Sequence, residues 1–436
     1  MQAFALSVYR LLTWALQPLV RLRLSRRAAK EPLYGQWIGE RFGSYSQPAS
    51  EGWIWIHAVS LGETRAAAIL LRELRAQIPG MKLLLTHGTA TGREEGAKLL
   101  QAGDLQVWQP WDSRKATQSF FKCFKPRIGI VMETEVWPNL CAAAKEAGVP
   151  MVLANARLSD RSLRKAQRVS LLAKPAFASF AAVLAQTDDD AKRLQLVGAS
   201  QVSVVGNLKF DVRIDPALQQ TGRAFKQQLG DTRVIMLAIS REGEEVQFLE
   251  QIRLISGINT AESAIESIAN KSASKIQWLI VPRHPQRFDE VQRLCEQAGL
   301  AVSRRSQWND TPTPADIWLG NSLGEMAMYY SLADVALLGG SFEPLGGQNL
   351  IEAIAAGCPV IMGPHTFNFL EASETAQAAG AAVRVASMQA GVQEAAALMG
   401  QPAKRQALQQ AGAHWLAMSQ GAAQRQAQAL ADVLAE

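Results

Sequence analysis

Short apolar runs recur along this chain, and a segment long enough for a helix separates each run from the next. The first series comprises residues 53–60, 82–86, 107–108, 128–132, 151–155 and 182–185. Runs that are apolar throughout, rather than alternating, indicate strands buried on both faces. Their alternation with helices predicts an α/β fold, with a parallel sheet covered by helices on both sides. Because ligands in this class bind outside the carboxyl ends of the strands, we expect the site there.

A second series of the same kind follows, so we expect two Rossmann-like βαβ domains. Its strands are predicted at residues 234–240, 278–281, 316–319 and 335–338. The 436 residues are sufficient for two domains of ordinary size. We assign residues 31–211 to the first domain and 233–400 to the second. A polar segment with Pro216 predicts a linker at 212–232, residues 256–275 predict a helix end with a surface insertion, and 401–436 predict a helical tail.

A glycine-rich segment follows the last predicted strand and indicates a βα turn. Residues 339–347 include four glycines, and Asn349 is placed to N-cap a short helix that Gly357 ends. Glu352 lies three residues after Asn349, as in a capping box. A strand, a glycine loop and a helix N-terminus can bind a phosphate, with Glu352 accepting hydrogen bonds from ribose hydroxyls. An ordinary turn in which Glu352 only caps the helix fits the same residues.

Polar side chains follow the strands of the first series and are candidates for the site. Glu63, in the first turn of a predicted helix, is either a general base for an attacking hydroxyl or a complement to the helix dipole. Glu133 and Glu135 precede Pro138, and this pair either binds a sugar or a cation or caps the next helix. Arg157 is suited to a carboxylate or a phosphate. The other candidates are Thr89, Thr91, Asn155 and Ser159.

In the second series, Arg283 follows Pro282 at the predicted end of a strand. An arginine at that place suits a phosphate, and surface charge is the alternative.

The composition favours a globular protein with anionic partners. Apolar residues make up 48% of the chain and charged residues 19%, which supports a sizeable core. The net charge of +6 favours nucleotides, phospholipid head groups or phosphorylated glycolipids. The basic residues are not concentrated in one aromatic-rich patch, so we do not expect nucleic acid as a partner. The four cysteines form no CxxC motif and the five histidines are scattered, so we expect no metal site.

Residues 1–30 predict a membrane anchor or an interfacial helix. Residues 3–20 are mostly apolar. Their length is at the lower limit for a span, and Arg10 near the centre makes a span costly. The alternatives are a helix lying in the interface of an anionic leaflet and a soluble helix packed on the body of the protein. Basic residues on the C-terminal side favour a cytoplasmic position for the rest of the chain. These residues are Arg21, Arg23, Arg26, Arg27 and Lys30.

The order of several short motifs resembles that of the 3-deoxy-D-manno-octulosonic acid (Kdo) transferase family, over nearly the whole chain. These motifs are residues 57–63, 133–139, 155–159, 282–285, 323–325, 339–342 and 346–349. The resemblance implies the GT-B architecture, in which two Rossmann-like domains face a central cleft. It also implies an enzyme that transfers Kdo from CMP-Kdo onto the lipid A precursor. The implied place of action is the cytoplasmic side of the bacterial inner membrane.

The resemblance also implies roles for individual residues. Glu63 matches the catalytic base of an inverting, single-displacement transfer. The donor (CMP) contacts match Pro282, Arg283, Leu323, Gly324, Glu325, Asn349, Leu350, Ile351 and Glu352. The acceptor-side residues match Glu133, Glu135, Asn139 and Arg157. CMP-Kdo carries one phosphate, which an arginine and a helix N-terminus can neutralise, so neither a metal nor another cofactor is expected. Gln348 departs from the family pattern, which usually has His there.

Two other functions are compatible with the same architecture. A sugar-nucleotide epimerase would leave the apolar and basic N-terminus unexplained. A non-catalytic, membrane-attached nucleotide-sugar binding protein would have no use for Glu63 as a base.

Overall fold

The computed structural model describes residues 1–256, 276–309 and 311–435. The strands are β1 (Trp53–His57), β2 (Lys82–His87), β3 (Leu105–Trp108), β4 (Ile128–Met132), β5 (Met151–Ala156), β6 (Ala182–Ala185), β7 (Val202–Val204), β8 (Arg233–Ser240), β9 (Ile276–Pro282), β10 (Val302–Arg304), β11 (Ile317–Leu319), β12 (Val335–Leu338), β13 (Val360–Met362) and β14 (Ala382–Arg384).

Helices occupy most of the remaining described chain. They are α1 (Gln2–Ala15), α2 (Gln17–Ala28), α3 (Leu61–Gln77), α4 (Ala90–Ala97), α5 (Arg114–Phe124), α6 (Pro138–Glu146), α7 (Asp160–Arg168), α8 (Ser170–Phe177), α9 (Asp188–Leu196), α10 (Pro216–Gln228), α11 (Glu244–Ser256), α12 (Phe288–Gln297), α13 (Met326–Leu332), α14 (Leu350–Ala355), α15 (Leu370–Ala378), α16 (Met388–Met399), α17 (Pro402–Ser419) and α18 (Ala422–Ala435).

The chain forms two compact units, residues 1–211 with 419–436, and residues 212–418. Each contains a seven-stranded parallel sheet, in the order β3-β2-β1-β4-β5-β6-β7 in the first unit and β10-β11-β9-β8-β12-β13-β14 in the second. These sheets confirm the prediction of two Rossmann-like α/β folds. The strand order reverses between β1 and β4 and between β8 and β12, which is where ligands bind in open α/β sheets.

The sheets are covered on both faces, which explains why their strands are apolar throughout. In the first unit, Trp55 of β1 packs against Phe120 of α5, with 4.8 Å between ring centroids. Ile56 on the opposite face belongs to a buried cluster with Leu70 of α3 and Leu430 of α18. Every residue of β1 and β4 is buried. Apolar side chains therefore cover both faces of the sheet, so polar groups that could bind a ligand lie only at the ends of its strands.

Two segments of the chain differ from the predicted boundaries. Most of the predicted linker, residues 212–232, forms α10, which belongs to the second unit; Gly222 is so close to α13 that an added Cβ would lie 2.2 Å from the Met328 carbonyl oxygen. The predicted tail, residues 401–436, is not a separate segment. Its helix α17 lies mostly in the second unit, whereas α18 returns to the first. The predicted insertion at 256–275 lies outside the described residues except for Ser256.

The two N-terminal helices bend by 45° at the break between them. Over the described chain, no one helix combines the length and the apolar character that crossing a bilayer requires, although α1 and α2 taken together would do so by length and composition. Polar groups of α1 dock on the first unit: the Tyr9 hydroxyl donates to Asp112 at 2.8 Å, and Arg10 donates to the Asn139 side chain at 3.2 Å. Arg10 therefore faces the protein.

The opposite side of these helices is apolar and open to solvent. Phe4, Leu11, Trp14 and Leu19 are each more than 60% exposed. This surface, residues 4–22 of α1 and α2, is called the apolar N-terminal face below. A helix pair that docks through one side and exposes apolar side chains on the other is compatible with an interfacial helix, which stays a prediction.

Candidate active site

Glu63 lies in the first turn of α3, just after the carboxyl end of β1. Ser60 N-caps α3 by accepting a hydrogen bond from the Glu63 backbone N–H at 3.4 Å. The Glu63 carboxylate in turn accepts hydrogen bonds from the Val59 N–H and the Ser60 hydroxyl, both at 2.8 Å. These bonds fix the carboxylate at the sheet edge where the site is expected. They also close the first turn of α3, a structural contact that differs from the predicted complement to the helix dipole.

The surroundings of Glu63 change its acidity. Burial raises the pKa of Glu63 to about 7, and the hydrogen bonds from Val59 and Ser60 offset this rise only in part. The nearby carboxylates of Glu135 and Glu133 add to it. A carboxyl group that titrates near neutral pH is well matched to accept a proton from a hydroxyl.

Glu133 and Glu135 follow β4, which is the neighbour of β1 across the strand-order reversal. Glu133 has a φ of 57°, which residues other than glycine rarely adopt. Its carboxylate accepts a hydrogen bond from Arg157 Nε at 2.8 Å, and Glu135 accepts one from the Trp137 indole at 3.0 Å. Burial, followed by the charge of Glu133, raises the pKa of Glu135. The structure therefore places Glu133, Glu135 and Arg157 at the same sheet edge as Glu63.

Asn139 has a different environment from the other predicted acceptor-side residues. It is 1% exposed, and its amide donates to the Asp112 carbonyl at 2.7 Å and accepts from Arg10 at 3.2 Å. Its backbone N–H also donates to the Asp112 carboxylate at 3.2 Å. Asn139 thus connects α6 to α1 and presents no open side chain to a substrate.

Asn155, Thr89 and Ser159 also have structural partners, whereas Thr91 is exposed on α4. Asn155 is fully buried, donates its backbone N–H to Gln426 of α18 at 2.9 Å and accepts from the Leu208 N–H at 3.0 Å. Thr89 caps α4 and Ser159 caps α7. These residues hold the loops around the site in place.

Two buried histidines support the turn before Glu63, and the sequence analysis gave them no role. His57 Nδ1 is hydrogen-bonded to Thr86 Oγ1 at 2.7 Å, and His87 Nδ1 donates to the Ala58 carbonyl at 2.9 Å. Burial lowers the pKa of His57 to about 3 and the pKa of His87 to about 4. Both rings are neutral at physiological pH, so they position the backbone and do not carry charge. The sequence signal that could have identified them is their position at the ends of β1 and β2, where the site is expected.

In the second unit, Glu244 stabilises the glycine loop between β12 and α14. Glu244 is fully buried in the first turn of α11. Its carboxylate accepts the N–H groups of Gly340 at 2.7 Å, Phe342 at 3.1 Å and Arg241 at 2.9 Å. Burial raises the pKa of Glu244, and the three N–H donors act in the opposite direction. Sequence reasoning missed this residue because a glutamate in a first helical turn usually only complements the dipole.

The glycine loop is also closed by contacts that only glycine permits. Gly346 has a φ of 91°, and a Cβ there would lie 2.4 Å from the Asn368 side-chain amide. Its neighbour Gly347 donates its N–H to the Gly340 carbonyl at 2.7 Å. The loop therefore folds back on itself directly before α14.

The predicted start and end of α14 are confirmed. Asn349 N-caps the helix by accepting the Ile351 N–H at 3.0 Å, and Gly357 follows the helix with a φ of 81°. Glu352 accepts a hydrogen bond from the Asn349 side-chain amide at 3.2 Å. Leu350 and Ile351 have buried side chains, so they can offer a ligand only backbone groups.

Arg283 joins the ends of three neighbouring strands. It follows Pro282, the last residue of β9, and its backbone N–H donates to the Ser240 carbonyl at the end of β8 at 3.1 Å. Its guanidinium donates to the Gln348 side chain in the glycine loop after β12. Gln348 thus accepts from the arginine as a neutral group. The pair lies at the strand-order reversal of the second sheet.

Residues 323–325 form an exposed turn before α13. Leu323 is 71% exposed, and Gly324 has a φ of 81°. Glu325 accepts a hydrogen bond from Arg305 at 2.9 Å and one from the Ser322 hydroxyl.

Within the described ranges, no three or more His, Cys, Asp or Glu side chains are grouped so as to hold a metal ion.

Comparison with known proteins identifies the family of this chain. The family described as 3-deoxy-D-manno-octulosonic-acid transferase (kdotransferase) matches residues 36–212. A 3-deoxy-D-manno-octulosonic acid transferase of Bordetella pertussis is 46% identical over 98% of this chain and 99% of that protein. The chain belongs to the Kdo transferase family. The enzyme of the same name from Haemophilus influenzae is 30% identical over 94% of each chain.

A Kdo transferase is a glycosyltransferase, and this membership decides against the epimerase and the non-catalytic binding protein. The solved structure of a glycosyltransferase from Rickettsia africae has a TM-score of 0.54 with 14% identity, covering 89% of this chain and 99% of that one. This likeness shows a shared fold. The two parallel-sheet units are accordingly those of the GT-B architecture.

Proposed function

We propose that this Kdo transferase takes Kdo from CMP-Kdo and transfers it to the lipid A precursor (lipid IVA), with Glu63 as the general base. The observation that carries the proposal is the Glu63 carboxylate, fixed at the strand-order reversal with its pKa raised to about 7. An acceptor hydroxyl is a poor nucleophile near neutral pH and needs a base to remove its proton.

The proposed reaction is a single displacement. The Glu63 carboxylate takes the proton of the acceptor hydroxyl as its oxygen bonds to the anomeric carbon of Kdo. The bond from that carbon to the phosphate oxygen breaks, and CMP leaves with the electron pair. Attack opposite the leaving group inverts the anomeric centre. The protonated Glu63 then releases its proton to solvent.

On the donor side, we assign the leaving phosphate to the second unit. Arg283 supplies a positive charge beside the glycine loop, and α14 begins directly after that loop. Donors fixed before the reaction stabilise charge that develops on the leaving group. Because CMP has a single phosphate, these groups suffice to balance it, and the proposed mechanism requires no metal ion. We place Leu323, Gly324, Glu325 and Glu352 around the nucleoside.

On the acceptor side, Glu133, Glu135 and Arg157 are assigned to the glycolipid, next to the base. The apolar N-terminal face would lie in the cytoplasmic leaflet of the bacterial inner membrane. The basic residues of α2 would contact its anionic head groups. This position would give the enzyme access to an acceptor that does not leave the bilayer.

Mass spectrometry of the product tests this function directly. Purified full-length protein is incubated with CMP-Kdo and the tetra-acylated lipid A precursor, and the glycolipid is then weighed. The proposal predicts a mass increase of one or more Kdo residues. The same incubation with CMP alone gives the background. An unchanged glycolipid, with a protein that remains folded, would contradict the proposed donor and acceptor.

A further inference from the structure

Gln348 lies in the glycine loop of the second unit, and the chemistry described so far gives it no role. It is 6% exposed, and its backbone N–H donates to the Gly339 carbonyl at 3.1 Å. Its side chain lies over Gly340, because a Cβ built on Gly340 would be 3.1 Å from the Gln348 amide nitrogen. A polar side chain that is buried where ligands bind in this fold indicates a specific polar contact.

That contact is with Arg283, which follows a strand two positions away in the sheet. The strand order is β9-β8-β12, so the end of β8 separates the loop after β9 from the glycine loop after β12. Two strand spacings amount to about 10 Å. The Arg283 guanidinium donates to the Gln348 side-chain oxygen across this gap. The amide presents its oxygen to the arginine, because a guanidinium group can only donate.

Other contacts hold the backbones of both loops. In the loop after β9, Arg287 pairs with the buried Glu245 of α11 at 2.7 Å. In the glycine loop, the Gly340 N–H donates to the Glu244 carboxylate at 2.7 Å. The contact between the amide and the guanidinium is therefore not needed to fix the path of either loop. What it fixes is the direction of the arginine side chain.

The direction of this side chain and the charge of its partner both affect anion binding. A flexible arginine loses conformational entropy when it binds an anion, and a contact that fixes it beforehand reduces this cost. A carboxylate would fix the guanidinium equally well, but it would also repel an incoming phosphate. The neutral amide of Gln348 fixes the group without adding a negative charge beside it.

We propose that Gln348 is a positioning residue of the donor site. Its neutral side-chain oxygen holds the Arg283 guanidinium in the direction of the leaving phosphate, and its lack of charge keeps the site attractive to an anion. This inference rests on the proposed function, in which Arg283 binds the phosphate of CMP-Kdo, and adds the residue that prepares Arg283 for it. The ligand class that this arrangement favours is a nucleoside monophosphate over the uncharged nucleoside.

The test compares CMP with cytidine, which is the same nucleoside without the phosphate, on variants of the full-length protein. Gln348→Glu keeps the length of the side chain and the accepting oxygen but adds a negative charge. Gln348→Met keeps the length and removes the oxygen. The control Gln393→Glu adds the same charge to an exposed residue of α16. Dissociation constants are measured by NMR titration at pH 8, together with thermal unfolding of each protein and kcat/KM for Kdo transfer.

We expect wild type and Gln393→Glu to bind CMP more tightly than cytidine by about tenfold or more. Gln348→Glu should lose most of this preference with cytidine binding unchanged, because the added charge repels only the phosphate. Gln348→Met should reduce the preference by about threefold or more, because the guanidinium is no longer fixed. The same order of losses should appear in kcat/KM with CMP-Kdo.

Two results would show that Gln348 does not position Arg283. A Gln348→Glu protein that keeps the full preference for CMP would overturn the inference and leave Kdo transfer intact. Equal losses of CMP and cytidine binding would also overturn it, since they indicate a role in folding alone. If Gln348→Glu does not fold, Gln348→Met decides, and an unchanged preference in that variant overturns the inference.

Failure of the proposed function gives a different result. A wild-type protein that prefers CMP over cytidine but transfers no Kdo would contradict the proposed reaction, and the Gln348 variants would still decide the inference through their binding. A wild-type protein that binds CMP no better than cytidine would overturn the inference, because there would be no phosphate contact for Gln348 to support.

Discussion

At the scale of single residues, the chemistry of Glu63 depends on how a helix cap is built. The same Val59 and Ser60 groups that cap α3 hold the carboxylate in a buried position. Burial and the two neighbouring glutamates disfavour its ionised form. The capping residue thereby has a pKa of about 7, which suits the base that we propose.

The pH dependence of turnover follows from this pKa. The base acts only when ionised, so we expect kcat to fall about tenfold per pH unit below the pKa of about 7 and to level off above it. Glu63→Gln cannot ionise and should lack this acidic limb in its residual rate. The pH dependence of kcat is measured from initial rates of both proteins between about pH 5.5 and 8.5, at saturating acceptor and donor. A wild-type rate that is level across this range would contradict the assignment.

At the scale of secondary-structure elements, the glycine loop of the second unit depends on a residue from another helix. Glu244 of α11 accepts three backbone N–H groups, two of them from the loop after β12. Without an acceptor these donors would be buried and unpaired.

Replacing Glu244 should therefore destabilise the loop. We expect Glu244→Gln to lower the free energy of unfolding by about 1–3 kcal/mol, because its amide nitrogen cannot accept an N–H. The matched control is Glu242→Gln, whose side chain is 55% exposed and pairs with Arg241; it should change stability by less than about 0.5 kcal/mol. Urea titration of both variants measures the difference. Equal stabilities of the two would show that Glu244 is dispensable.

The close approach at Gly346 gives a second prediction for this loop. Gly346 and Gly357 both have positive φ, so alanine costs about 1–2 kcal/mol at either position. A Cβ at Gly346 would also overlap the Asn368 amide at 2.4 Å, whereas at Gly357 it would meet nothing within 4 Å. We expect Gly346→Ala to be less stable than Gly357→Ala by about a further 1 kcal/mol, the cost of moving the exposed Asn368 and Phe367 side chains aside. Thermal unfolding measures both, and identical losses would refute the steric argument.

The elements that could be predicted from the sequence are those with strong local patterns. The structure confirms the strands predicted from the apolar runs at β1, β4 and β8. It also confirms the Asn349 cap of α14. The strands β10, β13 and β14 have three residues each, a length at which a periodic pattern is weak, although β11 of the same length is predicted. The return of α18 to the first unit depends on Gln426 reaching Asn155, a contact across 271 positions that no local pattern encodes.

The candidate site was predictable to a similar extent. Glu63, Glu133 and Arg283 follow apolar runs, so the rule for parallel sheets finds them. Asn139 lies in an equally suggestive place, but its partners Asp112 and Arg10 are distant in sequence, so its structural role was not visible.

At the scale of the whole molecule, we propose that the apolar N-terminal face holds the enzyme at a membrane surface. Phe4 and Leu11 are 75% and 63% exposed, so they contribute little to folding. Their side chains and the basic residues of α2 together favour an anionic leaflet.

Charges introduced on this face should release the protein from membranes. We expect Phe4→Glu with Leu11→Glu to reduce binding to phosphatidylglycerol vesicles by about tenfold or more, with unchanged thermal stability. The control Val204→Glu with Leu196→Glu alters side chains that are 45% and 59% exposed elsewhere in the first unit. Vesicle flotation measures binding. Equal flotation of both double variants would assign no membrane role to the N-terminal face.

The turnover of Glu63→Gln tests most directly whether Glu63 is the base of Kdo transfer. The measurement is the rate of Kdo transfer from CMP-Kdo at pH 8, with Glu94→Gln, an exposed glutamate on α4, as control. We predict a loss of about 10²- to 10⁴-fold for Glu63→Gln, with unchanged CMP-Kdo affinity and with Glu94→Gln close to wild type. A Glu63→Gln enzyme that transfers Kdo at nearly the wild-type rate would contradict the account.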